Sequence, residues 1–317
     1  MVFAAVAVVV LSTIAFVRVF FSSEPLTLVE ARRALHSKLL PSTLRPVPFE
    51  PAPAADFRNV QYPAAVGPLR AYLTPDPGDG KQHPAIVWIT GGDCNSIGDV
   101  WSAASADNDQ TAAAYRKAGV VMLFPSMRGG NDNPGQREGF LGEVDDVIAA
   151  HAYLSKIPYV DTRRIYLGGH STGGTLVLLV AESFNGFAGV IAFGPVTDVR
   201  AYGEDSGLLP YDLSDPAESK ARSPGHWLHL IRSPAWIVEG EHGNIDALRA
   251  MRRMLHGKNV VLAEISNASH FSALAPLNAL LAGKIAAVGA DGRLDLGAAD
   301  LDRTFQAFQQ RAGGVTP

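Results

Sequence analysis

Residues 164–174 read RIYLGGHSTGG, and the run TLVLLVAES follows at 175–183. An apolar strand-like stretch ends in glycines, Ser171 sits among them, and a long apolar helical pattern begins at once. Strand, sharp turn and helix in that order are the context that a G-x-S-x-G nucleophile elbow requires, here over residues 169–173. The turn strains the serine backbone, and bulky side chains at Gly169 and Gly173 would collide across it. A serine placed there lies at a helix N-terminus, where unpaired amides and the helix dipole favour a developing negative charge. The amide of Thr172 is then one oxyanion donor. The plainer alternative is a serine that caps the helix, with glycines for close packing.

Outward from this stretch, apolar runs alternate with helical patterns. FRNVQY (57–62) and GPLRAYL (67–73) form an opening pair. AIVWIT (85–90), VVMLFP (120–125), RIYLG (164–168), GVIAFG (189–194), AWIVEG (235–240) and VVLAEI (260–265) are apolar almost throughout. Helical patterns lie near 108–118, 140–156, 172–184 and 245–256, with one more at LDRTFQAF (301–308). Strands apolar on both faces, alternating with helices, predict an α/β protein. Its central sheet should be mostly parallel, with about eight strands and helices on both faces.

Composition narrows the function classes. The chain has 317 residues, 47% apolar and 18% charged, with net charge −4. That balance suits one large buried core and argues against a nucleic-acid partner. One cysteine, Cys94, makes neither an internal disulfide nor a multi-thiolate metal site. The nine histidines show no metal-ligand spacing, and no phosphate-binding glycine loop is present, so no metal or cofactor is implied.

The N-terminus differs in kind. Met1–Phe21 is a mostly apolar run with one charge, Arg18, and is long enough for a membrane span. A signal-anchor, a cleaved signal peptide and a buried core helix compete, so the chain is expected to be membrane-anchored or exported. Arg18, Arg32, Arg33 and Lys38 follow the segment, and a positive-inside count would keep that side cytoplasmic, against export. Residues 22–56 read as a short amphipathic helix within 24–40 and a proline-rich tether, PSTLRPVPFEPAPAADF. The globular domain should begin at Phe57 and run to residue 317, with 199–232 as a small lid.

A serine nucleophile needs a base, and in this chain order the base follows the last strand. VVLAEI is followed by SNASHF, which puts His270 there; a surface histidine at a helix start is the alternative. His170 is the variable residue of the elbow, His151 falls within a helix, His226 and His229 in the lid, and His242 near the expected acid loop. The loop WITGGDCNS (88–96) should supply the second oxyanion amide, from Gly92 or Asp93. Cys94 in that loop reads as a small buried residue.

These stretches together resemble the catalytic domain of the prolyl oligopeptidase family of serine peptidases, within the α/β-hydrolase fold. The resemblance rests on PAIVWITGG, FPSMRGGNDNPGQREGFLGEVDDVIAA, VDTRRIYLGGHSTGG, GPVTDVRAY, RSPAWIVEGE and SHF, across residues 57–285. It implies Ser171 as nucleophile and His270 as base, with structural roles for Asp145 and Asp146; Asp198 also matches a family position, but reads more simply as a loop-capping aspartate after the strand. Thr90 stands where the family often has His or Tyr. The family's acid lies three residues after the glycine that ends the penultimate strand, and counting from Gly240 reaches Gly243. The run EGEHGNIDAL leaves Asp246 as the preferred acid, because it keeps the family's residue type, with Glu241 and Glu239 as alternatives. The expectation is a serine hydrolase that works through an acyl-enzyme on small peptides. A carboxylic-ester hydrolase and a non-catalytic, membrane-tethered binding module are the rivals.

Overall fold

A computed structural model describes residues 27–45, 47–255, 259–289 and 291–313. The apolar segment 1–21, and with it the expected membrane span, lies outside the described residues. Among those described, no helix is long and apolar enough to cross a membrane.

The strands are β1 (Arg58–Ala64), β2 (Gly67–Leu73), β3 (His83–Ile89), β4 (Val121–Pro125), β5 (Val160–His170), β6 (Gly189–Phe193), β7 (Ala235–His242) and β8 (Val260–Ser269). They form one sheet in the order β1-β2-β4-β3-β5-β6-β7-β8. β1 pairs with β2, and β2 with β4, in antiparallel register; the other pairings are parallel. The described helices are α1 (Leu28–Ala34), α2 (Ala114–Lys117), α3 (Glu143–Leu154), α4 (Thr172–Ser183), α5 (Pro216–Arg222), α6 (Ile245–Met254), α7 (Leu274–Ala287) and α8 (Ala298–Gly313). This is the eight-stranded, mostly parallel α/β sheet that the alternating pattern predicts, and the α/β-hydrolase arrangement that the resemblance implies.

The period of two along each strand sorts its residues between two cores. Val87, Leu167 and Ile237 face one, with Val147 of α3 and Leu176 of α4. Trp88, Tyr166 and Val238 face the other, with Leu277 of α7 and Phe305 of α8. Both faces are covered, which is why the central strands read as unbroken apolar runs.

Several elements differ from the sequence expectation. The helix read over 24–40 is described only as Leu28–Ala34. It begins at a capping box, in which Glu30 N–H donates to Thr27 Oγ1 at 3.2 Å and Thr27 N–H to Glu30 Oε2 at 3.0 Å. From Leu35 the chain is extended, earlier than the first proline of the tether, Pro41, requires, and it lies docked on the domain. Leu28 is fully buried, Arg32 pairs with Asp145, and the amide of Leu40 donates to the Pro210 carbonyl at 2.8 Å. The pattern at 108–118 resolves into a short 3-10 turn at 106–108 and the brief α2. α7 gives no amphipathic signal in the sequence because it is apolar on most sides and has Pro276 in its first turn, where no amide is needed. Residues 199–232 form 3-10 turns around α5, anchored by a fully buried Arg222 that pairs with Glu218 and stacks 4.0 Å over Tyr211.

Candidate active site

The elbow is built as its glycines require. β5 runs through His170 and α4 starts at Thr172, so Ser171 alone makes the turn, at φ 56° and ψ −117°. Its amide donates to the Phe193 carbonyl of β6 at 2.8 Å, which fixes the strained residue to the neighbouring strand. A Cβ on Gly173 would overlap the Ile89 carbonyl of β3, and one on Gly169 would sit 2.7 Å from the Gly173 oxygen. Thr172, as the first residue of α4, has an amide with no intrahelical acceptor.

The loop after β3 closes over this amide. Thr172 Oγ1 donates to the Gly92 carbonyl at 2.9 Å, which ties the two expected oxyanion contributors together. The loop is held from beneath by charge. Arg137 Nη2 reaches Asp93 Oδ2 at 2.8 Å, and Asn95 Nδ2 donates to the Arg128 carbonyl at 2.8 Å and to Glu143 Oε1 at 3.0 Å. Burial raises the Glu143 carboxyl above its ordinary range. Arg128 in turn binds Asp146 through Nε at 2.9 Å and Nη2 at 2.8 Å, while the exposed Asp145 pairs with Arg32. Asp198 caps the turn at 199–202 by accepting from the Arg200 amide. Cys94 is buried, and burial pushes its thiol well up, as suits a packing role.

His270 follows β8 in the SNASHF loop. Its Nδ1 lies 3.0 Å from Glu239 Oε2, with side-chain exposures of 17% and 2%. The other Glu239 contacts are main-chain: Gly240 N–H to Oε1 at 2.7 Å and Asn244 N–H to Oε2 at 2.8 Å. Nδ1–H donated to the carboxylate leaves Nε2 as the proton acceptor. Gly194, which follows the strand that accepts the Ser171 amide, has φ +61°, and a Cβ there would overlap the His270 ring. Ser171 and His270 thus converge at the C-terminal end of β6.

The order of candidates for the acid changes here. Asp246, the residue preferred from sequence, is exposed in the first turn of α6, where the helix dipole favours it, and Glu239 takes the place beside His270. Glu241 is also exposed, and its Oε2 accepts from Asn267 N–H at 2.9 Å. β7 continues past Gly240 to His242, with a register shift between Gly240 and His242. The carboxylate beside His270 therefore comes from the strand end itself, not from the loop beyond. Sequence reading also misses Asn244, whose side chain donates to the Gly194 carbonyl at 3.3 Å, and Gln110, which contacts His170 at 2.9 Å. Asn244 carries a helix-start signal only, and Gln110 carries none.

Residues 106–222 match the family model described as the prolyl oligopeptidase family. An uncharacterized peptidase of Bacillus subtilis strain 168, YtmA, is 26% identical over 182 residues, covering 53% of this chain and 66% of that protein. Dipeptidyl-peptidase 5 of Porphyromonas gingivalis is 26% identical over 188 residues, covering 53% of this chain and 27% of its own length. The chain therefore spans less than two thirds of either relative. Among solved structures, a puromycin hydrolase superposes with TM-score 0.60 at 17% identity, covering 76% of this chain and 41% of that one.

Proposed function

We propose that this chain, a member of the prolyl oligopeptidase family of α/β-hydrolases, is a serine hydrolase that cleaves small peptides through Ser171, His270 and Glu239. The observation that carries the reading is the buried carboxylate of Glu239 on His270 Nδ1, at the strand end beside the strained Ser171 elbow. In this reading Ser171 Oγ attacks the scissile carbonyl and His270 Nε2 takes its proton. The amides of Thr172 and Gly92 stabilise the tetrahedral oxyanion. Collapse expels the amine, which leaves with the proton from His270, and an acyl-enzyme remains. Water, deprotonated by the same histidine, then releases the acid. Glu239 orients the imidazole and stabilises its cation without itself being protonated.

The test is labelling by a fluorophosphonate, followed by turnover of a panel of aminoacyl anilides and activated esters. Wild-type labelling that disappears in Ser171→Ala is expected, with anilide turnover falling on the order of a million-fold. Turnover of esters alone would move the substrate to carboxylic esters on the same machinery. A folded wild type that neither labels nor turns over more than Ser171→Ala would leave a non-catalytic binding module.

A further inference from the structure

We propose that His170 and Gln110 are positioning residues: His170, protonated at Nε2, pins the main chain of the base loop through the His270 carbonyl, and Gln110 braces that ring against the oxyanion loop. The proposal rests on the catalytic reading of His270 given above. In the sequence, His170 is only the variable position of the elbow; in the structure it is fully buried between the two loops that the chemistry needs in register.

The hydrogen-bond roles follow from the partners. His170 Nε2 lies 3.1 Å from the His270 carbonyl oxygen, which can only accept, so Nε2 carries the hydrogen. In a neutral ring Nδ1 must then accept, and the donor is Gln110 Nε2 at 2.9 Å. The same Gln110 nitrogen donates to Asn108 Oδ1 at 2.7 Å, and Gln110 Oε1 faces the Gly91 amide at 3.5 Å. Gly91 also lies directly on the ring, because a Cβ there would sit 3.2 Å from His170 Nδ1. Gln110 Oε1 also lies 3.2 Å from Nδ1, so the Nδ1 partner is read from the shorter Gln110 Nε2 contact and from the His270 carbonyl, which needs a donor; on that assignment the chain runs from Gly91 through Gln110 and His170 to His270.

Neutrality of His170 has a use. Its ring lies 4.6 Å from the His270 ring, centroid to centroid. Burial holds the His170 imidazole down to about 3, and the neighbouring His270 acts in the same direction. When His270 takes the serine proton, it becomes the one cation of the pair, with no like charge beside it.

Two measurements on the full chain test this. Long-range proton–nitrogen spectra of the histidine rings, with the His170 signals assigned by their loss in His170→Phe, report the tautomer without needing activity. His170 is expected to keep Nε2 protonated and Nδ1 bare from about pH 5 to 9, a range in which an unperturbed imidazole titrates. A ring protonated at Nδ1, or one that titrates in that range, would overturn the proposal whatever the enzyme does. Kinetics supply the second readout. His170→Phe keeps a ring but loses both hydrogen bonds, and kcat should fall about 10- to 100-fold with KM within about twofold, as misplacement of a base does. His170→Gln, which retains a side-chain donor, should recover most of that loss. Unchanged kcat in His170→Phe would sink the idea, as would equal losses in both variants that follow the folded fraction. Wild-type turnover no greater than Ser171→Ala, with the tautomer as expected, would sink only the catalytic reading and leave the assigned hydrogen bonds standing.

Discussion

Two glutamates, Glu239 at the end of β7 and Glu182 at the end of α4, are buried to a similar degree, at 3% and 5% exposure. Glu239 accepts from two main-chain amides and faces an imidazole. Glu182 has both carboxyl oxygens buried with no hydrogen-bond partner among the described residues. It also sits in the last turn of its helix, where the dipole repels an anion. Burial pushes the Glu182 carboxyl well above the ordinary glutamate range. Depth alone therefore does not make a functional acid. What separates the two is the supply of donors: the Gly240 amide, where the register of β7 shifts, and the Asn244 amide at the start of α6 both turn onto Glu239.

The largest effect that would break this contrast belongs to Glu239. In Glu239→Gln the amide nitrogen meets donors where the carboxylate met them, and the histidine loses the partner that selects its tautomer. kcat should fall about a thousand- to ten-thousand-fold, the scale of the comparable change in other triads. Steady-state rates on the best anilide of the panel, beside a thermal melt to show an intact fold, check this. A loss smaller than about tenfold, well short of the triad scale, would mean that Glu239 is a structural strand-end acid.

Much of this site is legible in the amino-acid chain alone. The elbow is readable because glycine on each side of Ser171 coincides with a change from a strand period to a helix period. His270 is readable because chain order requires a base after the last strand. The carboxylate that the fold sets beside His270 is not, because two local rules point elsewhere. Asp246 opens a helix, the place where dipole physics puts an aspartate whether or not it is catalytic. Glu239 is embedded in a run of buried strand residues, and its facing depends on a period of two that one glycine and a register shift make hard to count. The docking of residues 35–45 is hidden for a related reason. Proline content specifies extension, but the contacts that hold an extended segment are made by distant residues such as Pro210.

Glu182 should respond with the opposite sign and a smaller size. A group whose native pKa is raised contributes stability that is fully present below its unfolded pKa, and that stability is lost as pH rises through the native value. Wild-type stability should therefore decline on the alkaline side in a way that Glu182→Leu does not share. Removing an unpaired buried polar group should add about 1–3 kcal/mol at pH 8, with the gap narrowing towards pH 4. Urea unfolding of both proteins at several pH values measures it. A gap that does not grow with pH would mean that the carboxyl finds donors in solution, and the contrast with Glu239 would lose its basis.

The smallest expected effect falls on Asp246, the residue that the sequence favours. If its aspartate serves only the first turn of α6, Asp246→Asn keeps a good helix-start residue and removes a charge that acts no further than that turn. kcat/KM should stay within about twofold of wild type, and the pH profile should keep its shape. The same variant in a Glu239→Gln background makes the comparison sharper. Independent sites add, whereas two acids sharing one histidine do not. If Asp246→Asn costs little alone but removes the remaining activity of Glu239→Gln, Asp246 is a reserve partner for His270. If the double variant equals the Glu239 variant, helix electrostatics account for Asp246 entirely.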